Sequence, residues 1–240
     1  MIRMLAAMLS VAGGLMMIAT LVSAQGAPNE QGGVRAASGN EAAQKFRAYL
    51  DEDWNRWMAE YPEVATGTGF PGQNRRWSDD SPAGIQARKK HLHESAARLK
   101  AISRAALPKA EQLNYNLYVE LLATSEEGLQ YGDDPLPFRQ VVPQNLWMPL
   151  TQMGGIQQGA AETLSTMPRR SVADYEDILA RLEALPVSVE QQQALLQEGL
   201  KRGYTPPKLM LRDLPKQIAD LIPADPMASA LLEAFTEFPA

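Results

Sequence analysis

The sequence of 240 residues contains no cysteine and has two histidines, His91 and His93. Without cysteine there is no disulfide, no thiolate metal ligand and no cysteine nucleophile. The fold must therefore be held by its hydrophobic core, and 45% of the residues are hydrophobic. No stretch alternates between apolar and polar residues for long enough to predict a β-strand.

The chain also lacks an excess of positive charge. It has 23 basic and 28 acidic side chains, for a formal net charge of −5 at pH 7. A protein that binds nucleic acid usually presents a strongly basic face. We therefore expect no nucleic-acid partner.

Residues 1–24 have the pattern of a secretory signal peptide. A short start containing Arg3 is followed by a run, residues 5–22, that is apolar apart from Ser10 and Thr20, and Val22-Ser23-Ala24 provides small residues for cleavage after Ala24. The alternative is an uncleaved membrane anchor, because a spanning helix needs roughly 17 to 25 apolar residues. The small residues favour cleavage, which predicts a periplasmic or secreted protein with no stable membrane anchor and a mature charge of −6, from 22 basic and 28 acidic side chains.

The remaining sequence predicts an all-α, multi-helix array. Residues 25–40 are small and polar and are expected to form a disordered leader, with the helical domain spanning residues 41–240. An aromatic stripe follows at helical spacing and is typical of a buried core; it consists of Phe46, Tyr49, Leu50, Trp54, Trp57, Met58 and Tyr61. Residues 62–82 are predicted to be an irregular link, with Ser81 capping the next helix, and residues 138–150 an extended strap. Further helices are predicted after Pro108 and over residues 151–166, 171–185, 187–202, 208–221 and 227–238.

The stretch HLHE, residues 91–94, raises the question of a metal site. Zinc-binding histidines on one helix are usually four residues apart, whereas His91 and His93 are two apart and point about 200° away from each other. His91 and Glu94 do share a helix face, but a catalytic zinc needs a third protein ligand. The simpler interpretation is a solvated helix face beside Lys89, Lys90 and Arg98.

Other catalytic motifs are absent from the sequence. It contains no Gly-x-Ser-x-Gly elbow, no phosphate-binding loop and no dinucleotide fingerprint. The acidic pairs Asp79-Asp80, Asp51-x-Asp53 and Asp133-Asp134 are interpreted as caps of helix ends and turns rather than acid/base catalysts.

Four segments of the chain match motifs that occur in the same order in a known family. Residues 61–69 (YPEVATGTG) are similar to a Pro-Glu-x-Ala-Thr-x-x-Gly stretch, and residues 76–81 (RWSDDS) to an Arg-Leu-x-Asp-x-Ser segment. Residues 149–155 (PLTQMGG) resemble a Pro-x-x-Gln-x-x-Gly strap. Residues 199–208 (GLKRGYTPPK) resemble a Gly-x-x-x-Gly-x-Thr-x-Pro-Arg element, with Lys208 in place of the arginine. Together the four segments resemble the bacterial family known as domain of unknown function 885.

The resemblance implies a helical zinc metallopeptidase-like protein, often exported. In the family, a His-Glu pair followed by Pro-Gly-His and a later Glu-Gly-Trp segment carry the metal chemistry, and none of these occurs here. The resemblance therefore assigns no catalytic residue, no zinc ligand and no cofactor to this chain, and implies zinc and a peptide substrate for a full-length member. Trp147 and Tyr204 are the candidates for lining a substrate channel.

Three functional hypotheses follow. The first is that residues 41–240 are an incomplete helical domain, the N-terminal and non-catalytic portion of an exported zinc peptidase-like protein. The second is a stand-alone periplasmic helical protein for binding or scaffolding. The third is a self-contained enzyme that uses His91 and Glu94.

Overall fold

The computed structural model describes residues 30–137 and 145–237, and within them the protein is all-α with no strand. The predicted fold class is confirmed. The predicted signal peptide, residues 1–24, and residues 138–144 of the predicted strap lie outside the described residues. The α-helices of the described part are α1 (Glu30–Glu60), α2 (Pro62–Thr68), α3 (Pro82–Lys100), α4 (Lys109–Gly128), α5 (Ile156–Thr166), α6 (Val172–Lys201), α7 (Lys208–Leu211) and α8 (Leu214–Asp220). Short 3-10 helices span Arg104–Ala106, Leu129–Tyr131, Pro226–Ala228 and Ala230–Glu237.

The aromatic stripe of α1 forms the main core, as its spacing predicts. Phe46, Trp57 and Met58 have no exposed surface, because α3 and α4 cover that face of α1. The helix begins at Glu30, within the stretch for which the sequence predicted a disordered leader. The division of the chain into leader and helical domain at Glu41 stays a prediction.

The segment after α1 is more regular than the sequence predicted. Pro62 starts α2 instead of an irregular link, because proline fits the first turn of a helix. Gly69 ends α2 in the left-handed conformation, with a φ of 72°, and its N–H bonds to the carbonyls of Ala65 and Thr66. The start of α3 is as predicted, since the Ser81 hydroxyl accepts a hydrogen bond from the Gly84 N–H at 3.1 Å.

A single helix, α6, replaces the two helices that the sequence predicted on either side of Pro186. Pro186 lies inside α6 and on its exposed side. An interior proline costs about 3 kcal/mol or more. Burial of Ile178 and Arg181 before it, and of Ser188 and Leu195 after it, keeps both halves in one helix.

Helix α5 starts where backbone segments meet closely. Gly155, just before α5, has a φ of 138°, and a Cβ there would lie 2.9 Å from the Pro149 carbonyl oxygen. The backbone of Pro149 therefore passes close to Gly155, whereas a Cβ at Gly154 would meet nothing within 4 Å. Helix α5 contacts α2, α6 and α8, and with the last 3-10 helix it buries Leu164, Tyr175 and Ile178.

Helices that could act as membrane spans were sought only in the described residues. None of the helices there combines the length and the apolar character needed to cross a bilayer.

Candidate functional site

His91 lies in the core, not on a solvated helix face. His91 is 1% exposed, so the predicted solvated helix face is wrong for this side chain. Its Nε2 lies 3.0 Å from Asp53 Oδ1, and its Nδ1 lies 2.7 Å from Glu60 Oε2. The side chain follows Arg88 by three residues and precedes Leu92 on the face of α3 that packs against α1, so burial follows from helical periodicity.

Asp53 is the centre of a buried polar network. Its Oδ2 accepts hydrogen bonds from Trp57 Nε1 at 2.9 Å and Ser95 Oγ at 2.8 Å, and also from the Tyr118 hydroxyl. Buried carboxylates are stable only when such donors surround them. Asp53 therefore links α1, α3 and α4 from within α1, and the prediction that it caps a helix end is wrong.

Hydrogen bonds shift the pKa values of both Asp53 and His91. Burial alone would raise the pKa of Asp53, but hydrogen bonds from His91, Tyr118 and Ser95 outweigh burial and lower that pKa. Burial alone would lower the pKa of His91, but hydrogen bonds to Asp53 and Glu60 outweigh burial and raise that pKa. The favoured state is an imidazolium between carboxylates.

The other residues of HLHE point elsewhere. His93 lies 3.0 Å from Glu126 of α4 with 60% of its side chain exposed, so the two histidines do face different partners. Glu94 pairs with Arg56 at 3.0 Å and with Lys90 at 3.4 Å, and the structure does not bring it to His91. Among the residues that the structure describes, no three His, Asp or Glu side chains converge closely enough to hold a metal ion.

A cleft of about 520 Å³ lies between α2, α5, α6 and the segments that follow α2 and α4. Three of the segments that resemble the family meet there, although they are far apart in sequence. The first contributes Tyr61, Glu63 and Val64, the second Trp77, Ser78 and Asp80, and the third Pro149, Met153, Gly154 and Gly155. Helix α5 closes the cleft with residues that include Ile156, Gly159 and Glu162.

Arg88 holds the acidic side of the cleft together. It is 2% exposed, and its Nη2 lies 3.0 Å from Asp80 Oδ1 while its Nε lies 3.4 Å from Asp134 Oδ1. The Tyr61 hydroxyl donates to Asp134 Oδ1 at 2.9 Å. Burial, together with the charges of Asp134 and Glu63, raises the pKa of Asp80 despite the neighbouring Arg88. The cleft thus presents carboxylates beside aromatic and aliphatic walls.

Arg181 of α6 fixes the rim of the cleft. Its side chain is completely buried, and it donates to the carbonyl oxygens of Arg76, Gln73 and Pro62 at 2.9, 2.9 and 3.2 Å. It also donates to the Thr66 hydroxyl at 2.7 Å. These bonds tie residues 69–78, which carry Trp77 to the cleft, against α2 and α6.

Trp147 and Tyr204, the predicted channel residues, do not line this cleft. Trp147 packs against Ile85, Leu146 and Leu195, and the Arg202 guanidinium lies 4.4 Å from its ring. Its carbonyl lies against Gly199, where a Cβ would overlap it. Tyr204, two residues after Arg202, is 39% exposed. Their role as channel lining stays a prediction.

Comparison with known proteins identifies the family of this chain. A family model described as bacterial protein of unknown function, DUF885, matches residues 62–240. The chain belongs to this family. No curated protein and no solved structure matches it. The DUF885 match includes every described residue that lines the cleft except Tyr61, which directly precedes it.

Arg88 and Arg181 are the site residues that sequence reasoning missed. Each carried a signal, because each is a lone arginine at helical spacing among apolar residues. Arg88 lies between Ile85 and Leu92 on α3, and Arg181 follows Ile178 by one turn of α6. An arginine on the buried face of a helix is almost never left without partners. Their partners, however, lie on other elements and are not apparent from the local sequence.

Proposed function

We propose that this chain is the N-terminal, non-catalytic portion of an exported protein that resembles zinc-dependent peptidases. Its cleft would form one wall of a channel that binds peptides. The observation that carries the proposal is the convergence of three family-like segments on this one cleft. Segments that a family shares and that fold together around a concave surface are the default candidates for a binding site.

The chemistry of the cleft suits an extended peptide. Val64, Leu136 and Ile156 provide apolar contact, while Glu63 and Asp80 provide carboxylate oxygens that accept hydrogen bonds from peptide N–H groups or ammonium groups. Glu63 is positioned by the Ser78 backbone N–H at 2.9 Å and the Ser78 hydroxyl at 2.6 Å. One rigid wall of the cleft is therefore preorganised, which reduces the entropic cost of binding.

Zinc has no place among the described side chains. Their His, Asp and Glu residues form no group of three that could hold a metal ion. Under the proposal the ligands belong to a more C-terminal part of the protein. Leu200, Leu209, Ile222 and Met227 are each more than half exposed, and a neighbouring domain would remove this apolar surface from water.

The test is a hydrolysis assay with the purified chain. It is incubated with a mixture of peptides, with added zinc and with a chelator. We expect no hydrolysis in either sample. Zinc-dependent hydrolysis by this chain would overturn the assignment of a non-catalytic portion.

A second assay tests the peptide wall in a protein that extends beyond residue 240. Asp80→Asn should raise KM for peptides by weakening contacts in the cleft. Asp51→Asn, an exposed position on α1, is the matched control and should leave KM unchanged. An equal effect of both variants would contradict the role of the cleft.

The main core favours a second candidate function. Phe46, Trp57, Met58, Leu92 and Leu122 are buried by residues of this chain alone, as expected of a unit that folds independently. A stand-alone periplasmic binding or scaffold protein would unfold in one cooperative thermal transition. A broad transition accompanied by binding of a hydrophobic dye would count against this candidate.

A further inference from the structure

Each ring nitrogen of His91 contacts a different carboxylate of α1. Asp53 and Glu60 are two turns apart on α1, and His91 of α3 reaches both, at 3.0 and 2.7 Å. A neutral imidazole has one N–H donor, whereas the imidazolium has two. Only the protonated form can therefore donate to both carboxylates. Loss of the proton would set a ring lone pair against a carboxylate oxygen.

The two carboxylates are not held equally. Asp53 is 1% exposed and keeps three further donors in Trp57, Ser95 and Tyr118. Glu60 is the last residue of α1, its side chain is 18% exposed, and it has a contact with Arg56 Nε at 3.3 Å. When His91 loses its proton, the remaining N–H stays with the buried Asp53, and Glu60 is the partner that is released toward water.

Glu60 is joined directly to the wall of the cleft. The next residue, Tyr61, lines the cleft and donates to Asp134 at 2.9 Å. The Arg88 guanidinium lies 5.1 Å from the Tyr61 ring, one turn before His91 on α3. His91 and Arg88 of α3 therefore both contact residues at the junction of α1 and α2.

We propose that His91 is a pH-sensitive latch that fixes the junction of α1 and α2, and with it the Tyr61 wall of the cleft, while His91 is protonated. The latch rests on the proposed function only in naming the cleft as a binding surface. Its action is a local change in the position of Glu60 and Tyr61, and needs no bound peptide.

The groups packed around His91 support this assignment. Asp53 and Glu60 face it from α1, and Tyr118 of α4 reaches it through Asp53. The neighbouring cations are paired with carboxylates: Arg56 bridges Glu60 and Glu94, and Arg88 pairs with Asp80 and Asp134. Ser95 and Tyr49 complete the network as neutral groups, and burial raises the pKa of Tyr49 further above its ordinary value.

The latch also has a thermodynamic consequence. The pKa of His91 is raised above 6.5 in the folded protein. The resulting stabilisation is complete below the unfolded pKa of about 6.5 and is lost as the pH rises through the folded pKa. The free energy of unfolding should therefore fall as the medium becomes alkaline. Replacing His91 with glutamine should remove this part of the pH dependence.

The decisive experiment is an NMR titration of the purified chain without peptide. The ring signals of His91 and His93 are distinguished with a His93→Gln variant, since 60% of the His93 side chain is exposed. We expect His91 to titrate above pH 6.5, with the backbone amide signals of Tyr61 and Val64 shifting at the same midpoint. The amide of Leu164, which is buried with Tyr175 and Ile178, is the control and should not follow that midpoint.

A Glu60→Gln variant separates a latch from a merely buried histidine. The amide of glutamine can donate to a neutral Nδ1, so the junction should stay closed at every pH and the Tyr61 and Val64 shifts should disappear. Shifts that persist unchanged in Glu60→Gln would overturn the latch. So would cleft signals that ignore the His91 titration, or a His91 that does not titrate while the chain is folded. None of these outcomes depends on peptide hydrolysis, so failure of the latch is separate from failure of the proposed function.

Discussion

Replacing Arg181 with methionine tests whether one buried guanidinium holds the rim of the cleft. Methionine keeps much of the side-chain volume and removes every hydrogen-bond donor. The carbonyl oxygens of Arg76 and Gln73 then lose a charged donor, at 2.9 Å in each case. The Pro62 carbonyl still accepts from the Thr66 hydroxyl at 3.0 Å.

Two opposing effects set the change in the free energy of unfolding. Burial lowers the pKa of Arg181 to about 10, so removal of the cation relieves a desolvation cost. Each partly buried carbonyl that loses its donor costs about 1–3 kcal/mol. Two carbonyls are affected, and relief of the desolvation cost of the cation offsets part of their cost. We therefore expect Arg181→Met to lower the free energy of unfolding by about 3 kcal/mol. At about 2–4 °C per kcal/mol for a chain of this size, Tm should fall by roughly 6–12 °C.

Chemical and thermal unfolding, followed by circular dichroism, provide the assay. The matched control is Arg75→Met, because Arg75 joins the same loop to α6 through Asp177 at 3.0 Å with 59% of its side chain exposed. An exposed ion pair contributes about 0–1 kcal/mol, so the control should lower Tm by only a few degrees. A loss of stability below about 1 kcal/mol for Arg181→Met, or one equal to that of Arg75→Met, would show that Arg181 does not hold the rim of the cleft.

Two further substitutions test the packing and the buried network by the same unfolding assay. Gly199→Ala places a Cβ against the Trp147 carbonyl and should cost about 1–3 kcal/mol, whereas Gly67→Ala enters open space on α2 and should be neutral or slightly stabilising; equal effects would contradict the close contact. Asp53→Ala leaves the buried donors of the network unpaired and should cost about 3–5 kcal/mol, whereas exposed Asp51→Ala should stay within about 0.5 kcal/mol; a mild Asp53 variant would contradict the network.

The helices and the main core could be predicted from the sequence because they depend on local spacing. The stripe from Phe46 to Tyr61 repeats with helical period, and the Ser81 cap is visible beside Pro82. The continuity of α6 through Pro186 could not be predicted, because the local cost of proline is known from sequence but the tertiary burial that offsets it is not.

The candidate site was partly predictable. The family-like segments were identifiable along the chain, but their convergence on one cleft depends on contacts between distant helices. His91 shows the limit most clearly. Its neighbours Lys89 and Lys90 suggest a solvated face, yet the helical phase turns His91 toward Asp53 and Glu60 of α1. Pairing a polar residue with buried partners requires knowledge of which helices pack together.

Under the proposed function, this chain is the non-catalytic front of a zinc peptidase-like protein. Reading the DNA past codon 240 in all three forward frames tests this proposal. We expect a His-Glu pair followed by Pro-Gly-His downstream. An in-frame stop codon with no such motif beyond it would overturn the proposal and favour a stand-alone binding or scaffold protein.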